Sequence, residues 1–198
     1  MSAPPKTVLT ASAEEEAAIR DAVRRFAVDR VAGPRHVAGL VALFSDPRVS
    51  DPIYDLPRPF TPENVARWVA ESEALRQKGE CVLLVTPDEA GGVGGYSRIS
   101  VWPDRSSAEL AGAARADRQN TGRGRQGVAN SVGAIFEVLG VRLIGLTAAL
   151  DNVRSAAAID GAGFIRMGER ESVRPDGTIR RSLYWELTRD QWRALQQV

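Results

Sequence analysis

The most informative stretch of the sequence is RQNTGRGRQG, at residues 118–127. The stretch holds three glycines and three arginines, and it contains no side chain suited to a hydrophobic core. It follows the strand-like sequence AELAGAARA at 108–116 and precedes the helical pattern VANSVGAIFEVLG at 128–140. The first N–H groups of a helix lack acceptors within the helix, and the aligned peptide dipoles make that end electropositive. The sequence therefore predicts an anion site at a strand-to-helix junction.

The residue types at this junction suit a pyrophosphate. Glycine lets a bulky anion approach the main chain without meeting a Cβ, and arginine adds charge-assisted hydrogen bonds. The residues concerned are Gly122, Gly124 and Gly127 with Arg118, Arg123 and Arg125. The alternative interpretation is a surface loop rich in glycine and arginine. P-loop and Rossmann nucleotide sites are disfavoured, because the stretch lacks the Gly-Lys-Ser/Thr ending of the first and the downstream acidic residue of the second.

Length and composition indicate one core and few kinds of cofactor. A chain of 198 residues with 43% hydrophobic content predicts a single domain at 31–198, preceded by an arm at 1–30 that is partly flexible or helical. Lysine and arginine number 26 against 25 acidic residues, which disfavours nucleic acid and anionic membranes as partners. With Cys81 as the one cysteine and His36 as the one histidine, we expect no disulfide and no metal site.

The first residues and the hydropathy pattern indicate the cellular location of the protein. The first residues, MSAPPKTV, lack the basic start and apolar run of a signal peptide, and no stretch reaches the roughly 18 apolar residues that a membrane span needs. We therefore expect a cytoplasmic protein. Exposed edge strands make a homodimer reasonable.

Hydrophobic spacing predicts an α+β architecture. Helical spacing marks residues 13–31, of which 25–31 could equally form a strand. It also marks residues 37–44 and 62–78, and Thr61 and Pro62 form an expected helix start. Residues 81–102 have the pattern of a β-hairpin. The remaining chain predicts a strand at 108–116, the glycine-arginine loop, a helix, a strand at 141–150, a short helix, and strands at 164–173 and 182–188. The sum is a largely antiparallel sheet followed by a strand–helix–strand unit.

Two blocks resemble a known family. Gln119-x-x-Gly122-x-Gly124 resembles the Q/R-x-x-G-x-G/A signature of the GNAT superfamily of N-acetyltransferases, at the junction where that family has it. Asn152, Ser155 and the Gly163-Phe164 pair are similar to the N-x-x-S and terminal GF of the branch that contains the ribosomal-protein N-terminal acetyltransferases. The resemblance covers roughly residues 35–195.

The resemblance implies a mixed, mostly antiparallel twisted sheet, flanked by helices and splayed between its fourth and fifth strands, with acetyl-CoA in the opening. Pantetheine amides would pair with the fourth strand at about residues 113–117. The pyrophosphate would rest on main-chain amides at about residues 123–127. The cofactor-binding residues so implied are Ala114, Arg115, Gln119, Gly122, Arg123, Gly124, Arg125, Gln126, Gly127, Asn152 and Ser155.

The resemblance also implies direct acetyl transfer to a primary amine without an acyl-enzyme. Glu109 resembles the carboxylate of the branch's A-E-I-G-Y pattern and is the candidate base, with a solvated strand carboxylate as the alternative. Many relatives place a tyrosine proton donor near Ile159, which cannot donate, so Ser155 is the candidate acid, with helix capping as its alternative. The buried-strand setting of Cys81 indicates a core residue rather than a nucleophile.

The acceptor is left open between a protein N-terminus and a small-molecule amine. Asp51, Tyr54 and Asp55 lie in the loop that the resemblance places on the acceptor side, where an acidic pair would suit a cationic amine. The rival hypothesis from another class is a non-catalytic acyl-CoA-binding or regulatory module.

Overall fold

The computed structural model describes residues 3–118, 123–173 and 177–197. The helices are α1 (Ala13–Arg25), α2 (Val37–Phe44), α3 (Pro47–Ser50), α4 (Pro62–Lys78), α5 (Arg123–Ala134), α6 (Val153–Gly161) and α7 (Arg189–Leu195). The strands are β1 (Cys81–Pro87), β2 (Val93–Trp102), β3 (Ser107–Ala114), β4 (Leu143–Ala149), β5 (Ile165–Val173) and β6 (Ile179–Thr188). A helix long and apolar enough to cross a bilayer does not occur within these ranges.

The strands form one mixed sheet in the order β1-β2-β3-β4-β6-β5. All neighbours are antiparallel except β3 and β4, which are parallel. The predicted α+β class and the predicted splay are confirmed. The diverging strands are the third and fourth along this chain rather than the fourth and fifth, because the segment before α2 contributes only an isolated bridge between Val31 and Leu84.

Each face of the sheet has its own hydrophobic cluster. Helices α1, α5 and α6 pack on the first face, where Phe136, Ile144 and Trp185 are buried. Helices α2 and α4 cover the second face above β1 and β2. On that second face Tyr96 lies 5.2 Å from the Phe44 ring centroid and forms an edge contact with it. Because side chains alternate along a strand, each position can be assigned to one face.

Helix α4 begins and ends as its sequence predicts. Thr61 Oγ1 accepts a hydrogen bond of 3.2 Å from the Asn64 N–H, and Pro62 occupies the first turn, where its missing N–H costs nothing. The helix ends at Gly79, whose φ of 77° lies in the left-handed region. A Cβ at this position would also lie 2.5 Å from the Arg20 Cα, so the fold requires glycine here.

The end of α6 is held to β5 and β6 by Asp160. Its carboxylate accepts hydrogen bonds from Arg166, at 3.0 and 2.6 Å, and from the indole N–H of buried Trp185, at 2.8 Å. These bonds lower the pKa of Asp160 to about 2. Gly163 follows with φ 84°, and a Cβ there would lie 2.2 Å from Leu195. The left-handed backbone at this position therefore favours the glycine of the Gly163-Phe164 pair, and the Leu195 side chain of α7 packs against it.

We expect Asp160→Asn to be less stable than the wild type at neutral pH. Since the pKa of an unfolded aspartate is about 3.9, this carboxylate stabilises the fold above about pH 4 and loses its contribution as the pH falls toward 2. Urea unfolding of both proteins from pH 7 downward should show the difference in midpoint narrowing below about pH 4. A pH-independent difference would contradict the assignment.

Candidate active site

The central feature of the site is the divergence of β3 and β4. The two strands pair only where residues 107–109 meet residues 143–145. Beyond this point β3 continues to Ala114, and in the described part of the chain its pairing there is with β2 alone. At residues 110–113, the edge of β3 that faces β4 therefore pairs with no strand in the described part of the chain and can receive amide groups of a ligand.

The predicted pantetheine-binding range extends past the end of the strand. β3 ends at Ala114, and Ala116–Arg118 form a 3₁₀ turn closed by a hydrogen bond from the Arg118 N–H to the Arg115 carbonyl. The Arg115 guanidinium lies 3.0 Å from Asp117 and 3.4 Å from Asp88. These ion pairs direct the Arg115 side chain toward the turn between β1 and β2.

Helix α5 begins at Arg123, within the glycine-arginine stretch and earlier than the apolar pattern predicts. The first-turn N–H groups therefore belong to the residues assigned to the pyrophosphate, Arg123, Gly124, Arg125 and Gln126. Gly127 is exposed, with no heavy atom within 4 Å of an added Cβ. Two further predicted contacts, Gln119 and Gly122, lie outside the described residues. Further along α5, Val132 is buried and packs the helix against the first face of the sheet.

Asn152 and Ser155 lie where α6 starts, after β4. The Asn152 Oδ1 accepts a hydrogen bond of 3.1 Å from the Ser155 N–H, which makes Asn152 the N-cap of the helix. The cap of this helix is therefore Asn152, and the half-buried Ser155 lies in the first turn, where its N–H donates to the cap. Ile159, at the position where many relatives have a tyrosine, is 6% exposed and belongs to the core.

Glu109 lies at the last paired position before the strands diverge. Its neighbour Ala108 faces the cluster under α5, so Glu109 faces the second side of the sheet. The residue is only 6% exposed, which argues against a solvated surface carboxylate. Glu109 pairs in register with Gly145, which in turn pairs with Glu186. Gly145 on β4 therefore lies between two buried carboxylates, Glu109 on β3 and Glu186 on β6, in one row across the sheet.

Sequence reasoning missed Glu186 and its partners. Glu186 is 5% exposed and accepts hydrogen bonds from the Thr7 N–H, at 2.9 Å, from the Thr7 hydroxyl and from the Tyr184 hydroxyl. Burial raises the pKa of Glu186, but these hydrogen bonds outweigh it and hold the pKa below its ordinary value. The alternation of Ser182, Tyr184 and Glu186 along β6 was the one available signal that polar groups share this face.

The acceptor-side loop is not the acidic surface that its sequence suggests. Asp55 lies 3.5 Å from Arg98 of β2, so its charge is compensated. Tyr54 is 5% exposed and lies under Arg180, whose guanidinium carbon is 4.9 Å from the ring centroid. Asp51 is exposed at the end of α3. The loop therefore joins the sheet through arginines, and only Asp51 remains as a solvated acidic group.

Cys81 and His36 have structural roles. Cys81 is fully buried in β1, and this burial raises the pKa of its thiol, which disfavours the nucleophilic thiolate. The His36 Nδ1 accepts a hydrogen bond of 3.0 Å from the Gly33 N–H, and burial together with Arg35 lowers the pKa of its ring. Within the described ranges, His, Cys, Asp and Glu form no group of three or more that could hold a metal ion.

The sequence matches a family model over more than half of its length. Residues 30–165 match the model of the acetyltransferase (GNAT) domain. No curated protein sequence matches the chain significantly.

Solved structures show the same fold. The ribosomal-protein-S5-alanine acetyltransferase of Vibrio fischeri matches with a TM-score of 0.69 and 17% identity, over 82% of this chain and 93% of that chain. Mycobacterium smegmatis RimJ, in complex with CoA-disulfide, matches with a TM-score of 0.69 and 17% identity, over 82% of this chain and 81% of that chain. The aminoglycoside acetyltransferase AAC(6')-Ib, in complex with coenzyme A and kanamycin, matches with a TM-score of 0.67 and 21% identity, over 84% of this chain and 97% of that chain.

Proposed function

The chain belongs to the GNAT acetyltransferase family, and on that premise we propose that it transfers the acetyl group of acetyl-CoA directly to a primary amine. The observation that carries this proposal is the divergence of β3 and β4 beside a helix whose first turn lies in the glycine-arginine stretch. The opening offers the β3 edge at residues 110–113 to pantetheine amides. The helix start offers N–H groups and a positive dipole end for the pyrophosphate.

The donor lies between β3 and β4 in this proposal, with its pyrophosphate at α5. Since α5 packs on the first face of the sheet, the amine reaches the thioester from the second face. Glu109 faces that side at the point of divergence. The pyrophosphate and the amine therefore approach from opposite faces of the sheet, and amine and thioester meet at the opening between β3 and β4.

The chemistry needs a base, an oxyanion donor and an acid. The amine nitrogen attacks the thioester carbonyl carbon, so that a C–N bond forms and the C–S bond breaks. Glu109 accepts the proton that the amine loses, directly or through water. A main-chain N–H of β3 stabilises the oxyanion, and the Ser155 hydroxyl donates a proton to the departing thiolate. A cleft with little water strengthens each of these interactions.

The acceptor belongs to one of two classes. The solved relatives include an enzyme named for a ribosomal-protein alanine and one crystallised with kanamycin. We therefore propose a protein N-terminus or a small-molecule amine as the acceptor. Since Arg98 compensates Asp55, recognition of a strongly cationic amine through this loop is disfavoured.

A non-catalytic acyl-CoA-binding module is the second candidate. The observation that favours it is Ile159, which is buried in the core at the position of the tyrosine acid. Such a module would bind acetyl-CoA and release no thiol with any amine.

Thermal unfolding with acetyl-CoA, ATP or NAD tests the donor. At 100 times its Kd, a ligand of the folded state stabilises by about 2.7 kcal/mol and raises the Tm of a chain of this size by roughly 5–10 °C. We expect this rise with acetyl-CoA alone; a rise with ATP alone would contradict the proposal. Thiol release across a panel of primary amines then separates the enzyme from the binding module.

A further inference from the structure

Residues 3–7 form a strap across the second face of the sheet. The Lys6 N–H donates to the Tyr184 hydroxyl at 3.0 Å, and the Lys6 ammonium donates to the Glu169 carbonyl at 2.9 Å. Thr7 donates two hydrogen bonds to Glu186. Arg105 donates to the Pro5 carbonyl at 2.9 Å. Hydrogen bonds thus join the strap to β5 and β6 and to the turn that follows β2.

Pro5 is the buried residue of the strap. Its Cγ lies 3.3 Å from the position that a Cβ of Gly145 would occupy. The missing side chain of Gly145 therefore leaves a trough in the sheet surface, and the proline ring fills it. A Cβ at position 145 would require the proline ring, or the Tyr184 hydroxyl at 3.1 Å, to shift by a few tenths of an ångström.

The trough adjoins the proposed base. Gly145 is the register partner of Glu109 on the neighbouring strand, and neighbouring strands are about 4.8 Å apart. Pro5 thus lies about one strand away from Glu109 on the same face. Helices α2 and α4 cover the other side of this face. Glu109 therefore lies between the helical cover and the strap.

We infer that the strap is the wall of the acceptor pocket and that Pro5 limits the width of the amine at its α-carbon. This inference rests on the proposed function, because it takes Glu109 as the residue beside the attacking nitrogen. An amine that approaches Glu109 from the second face passes between α2–α4 and the proline ring. The strap consists of residues from the chain's own amino-terminal segment and is separate from the donor site at α5.

Pro5→Ala tests the inference, with Pro4→Ala as its matched control. Both changes remove one proline from the same segment. The Pro4 carbonyl accepts a hydrogen bond from Arg170, and Pro4→Ala keeps this carbonyl. An amine that the wild type accepts is compared with an analogue that carries an extra methyl group beside the nitrogen. We expect Pro5→Ala to raise kcat/KM for the branched amine, relative to the unbranched one, by about tenfold. Pro4→Ala should leave this ratio within about twofold.

A second variant and a binding measurement complete the test. Thr7→Val removes the hydroxyl bond to Glu186, loosens the strap and should shift the ratio in the same direction as Pro5→Ala. The Kd for acetyl-CoA should stay unchanged in all three variants. An unchanged amine preference in both Pro5→Ala and Thr7→Val, with normal turnover, would overturn the inference alone. Failure of the wild type to acetylate any amine would overturn the proposed function and this inference together.

Discussion

Gly124→Glu lowers the affinity for acetyl-CoA by about 10- to 100-fold if its pyrophosphate rests on the first turn of α5. The substitution adds a carboxylate where the doubly charged bridge should lie. Glutamate is a better helix former than glycine, and an acidic side chain near a helix amino terminus is favourable. The loss of affinity is therefore expected without a loss of stability, and isothermal titration together with thermal unfolding separates the two.

Ala129→Glu is the matched control for this experiment. It places the same charge on the same helix at an exposed position beyond the first turn. We expect the Kd of acetyl-CoA to change by no more than about twofold, since exposed charges interact weakly through water and salt. Equal losses in both variants would indicate a general charge effect, and no loss in Gly124→Glu would place the pyrophosphate elsewhere.

Glu109→Gln lowers kcat by about 100-fold or more, because glutamine has the same shape but cannot accept the amine proton. Glu109 is nearly fully buried at the divergence of β3 and β4, away from the start of α5. The Kd for acetyl-CoA should therefore stay the same. Steady-state thiol release at saturating amine measures kcat, and titration of the donor measures the Kd.

Glu171→Gln controls for the removal of a strand carboxylate. Glu171 is exposed on β5, so the same change there should leave kcat unaffected. If Glu109→Gln also turns over like the wild type, Glu109 has no part in proton transfer and the base must be a different group.

Local signals predicted much of the fold. The start of α4 at Thr61 and Pro62 and the hairpin of β1 and β2 depend on neighbouring residues, and both are found where the sequence placed them. The glycine-arginine stretch predicted the strand-to-helix junction. The start of α5 was misplaced because Arg123 and Gly124 carry no apolar periodicity, although they can continue a helix backward from Gly127.

Long-range contacts determine what the sequence could not predict. Thr7 and Glu186 are 179 residues apart, and no local pattern links a proline-containing segment to a carboxylate on β6. Asp55 was interpreted as an available acidic group, whereas Arg98 of β2 compensates it. Helix capping was the alternative role of Ser155, whereas the side chain that caps α6 is Asn152, which was predicted only as a cofactor contact.

A crystal structure of the protein with bound coenzyme A would establish or refute this donor placement in one experiment. We expect the pyrophosphate oxygens within about 2.7–3.2 Å of main-chain nitrogens in the first turn of α5, and the sulfur between β3 and β4 near Glu109. A pyrophosphate bound away from that turn, or a pantetheine arm outside the opening between the two strands, would contradict it.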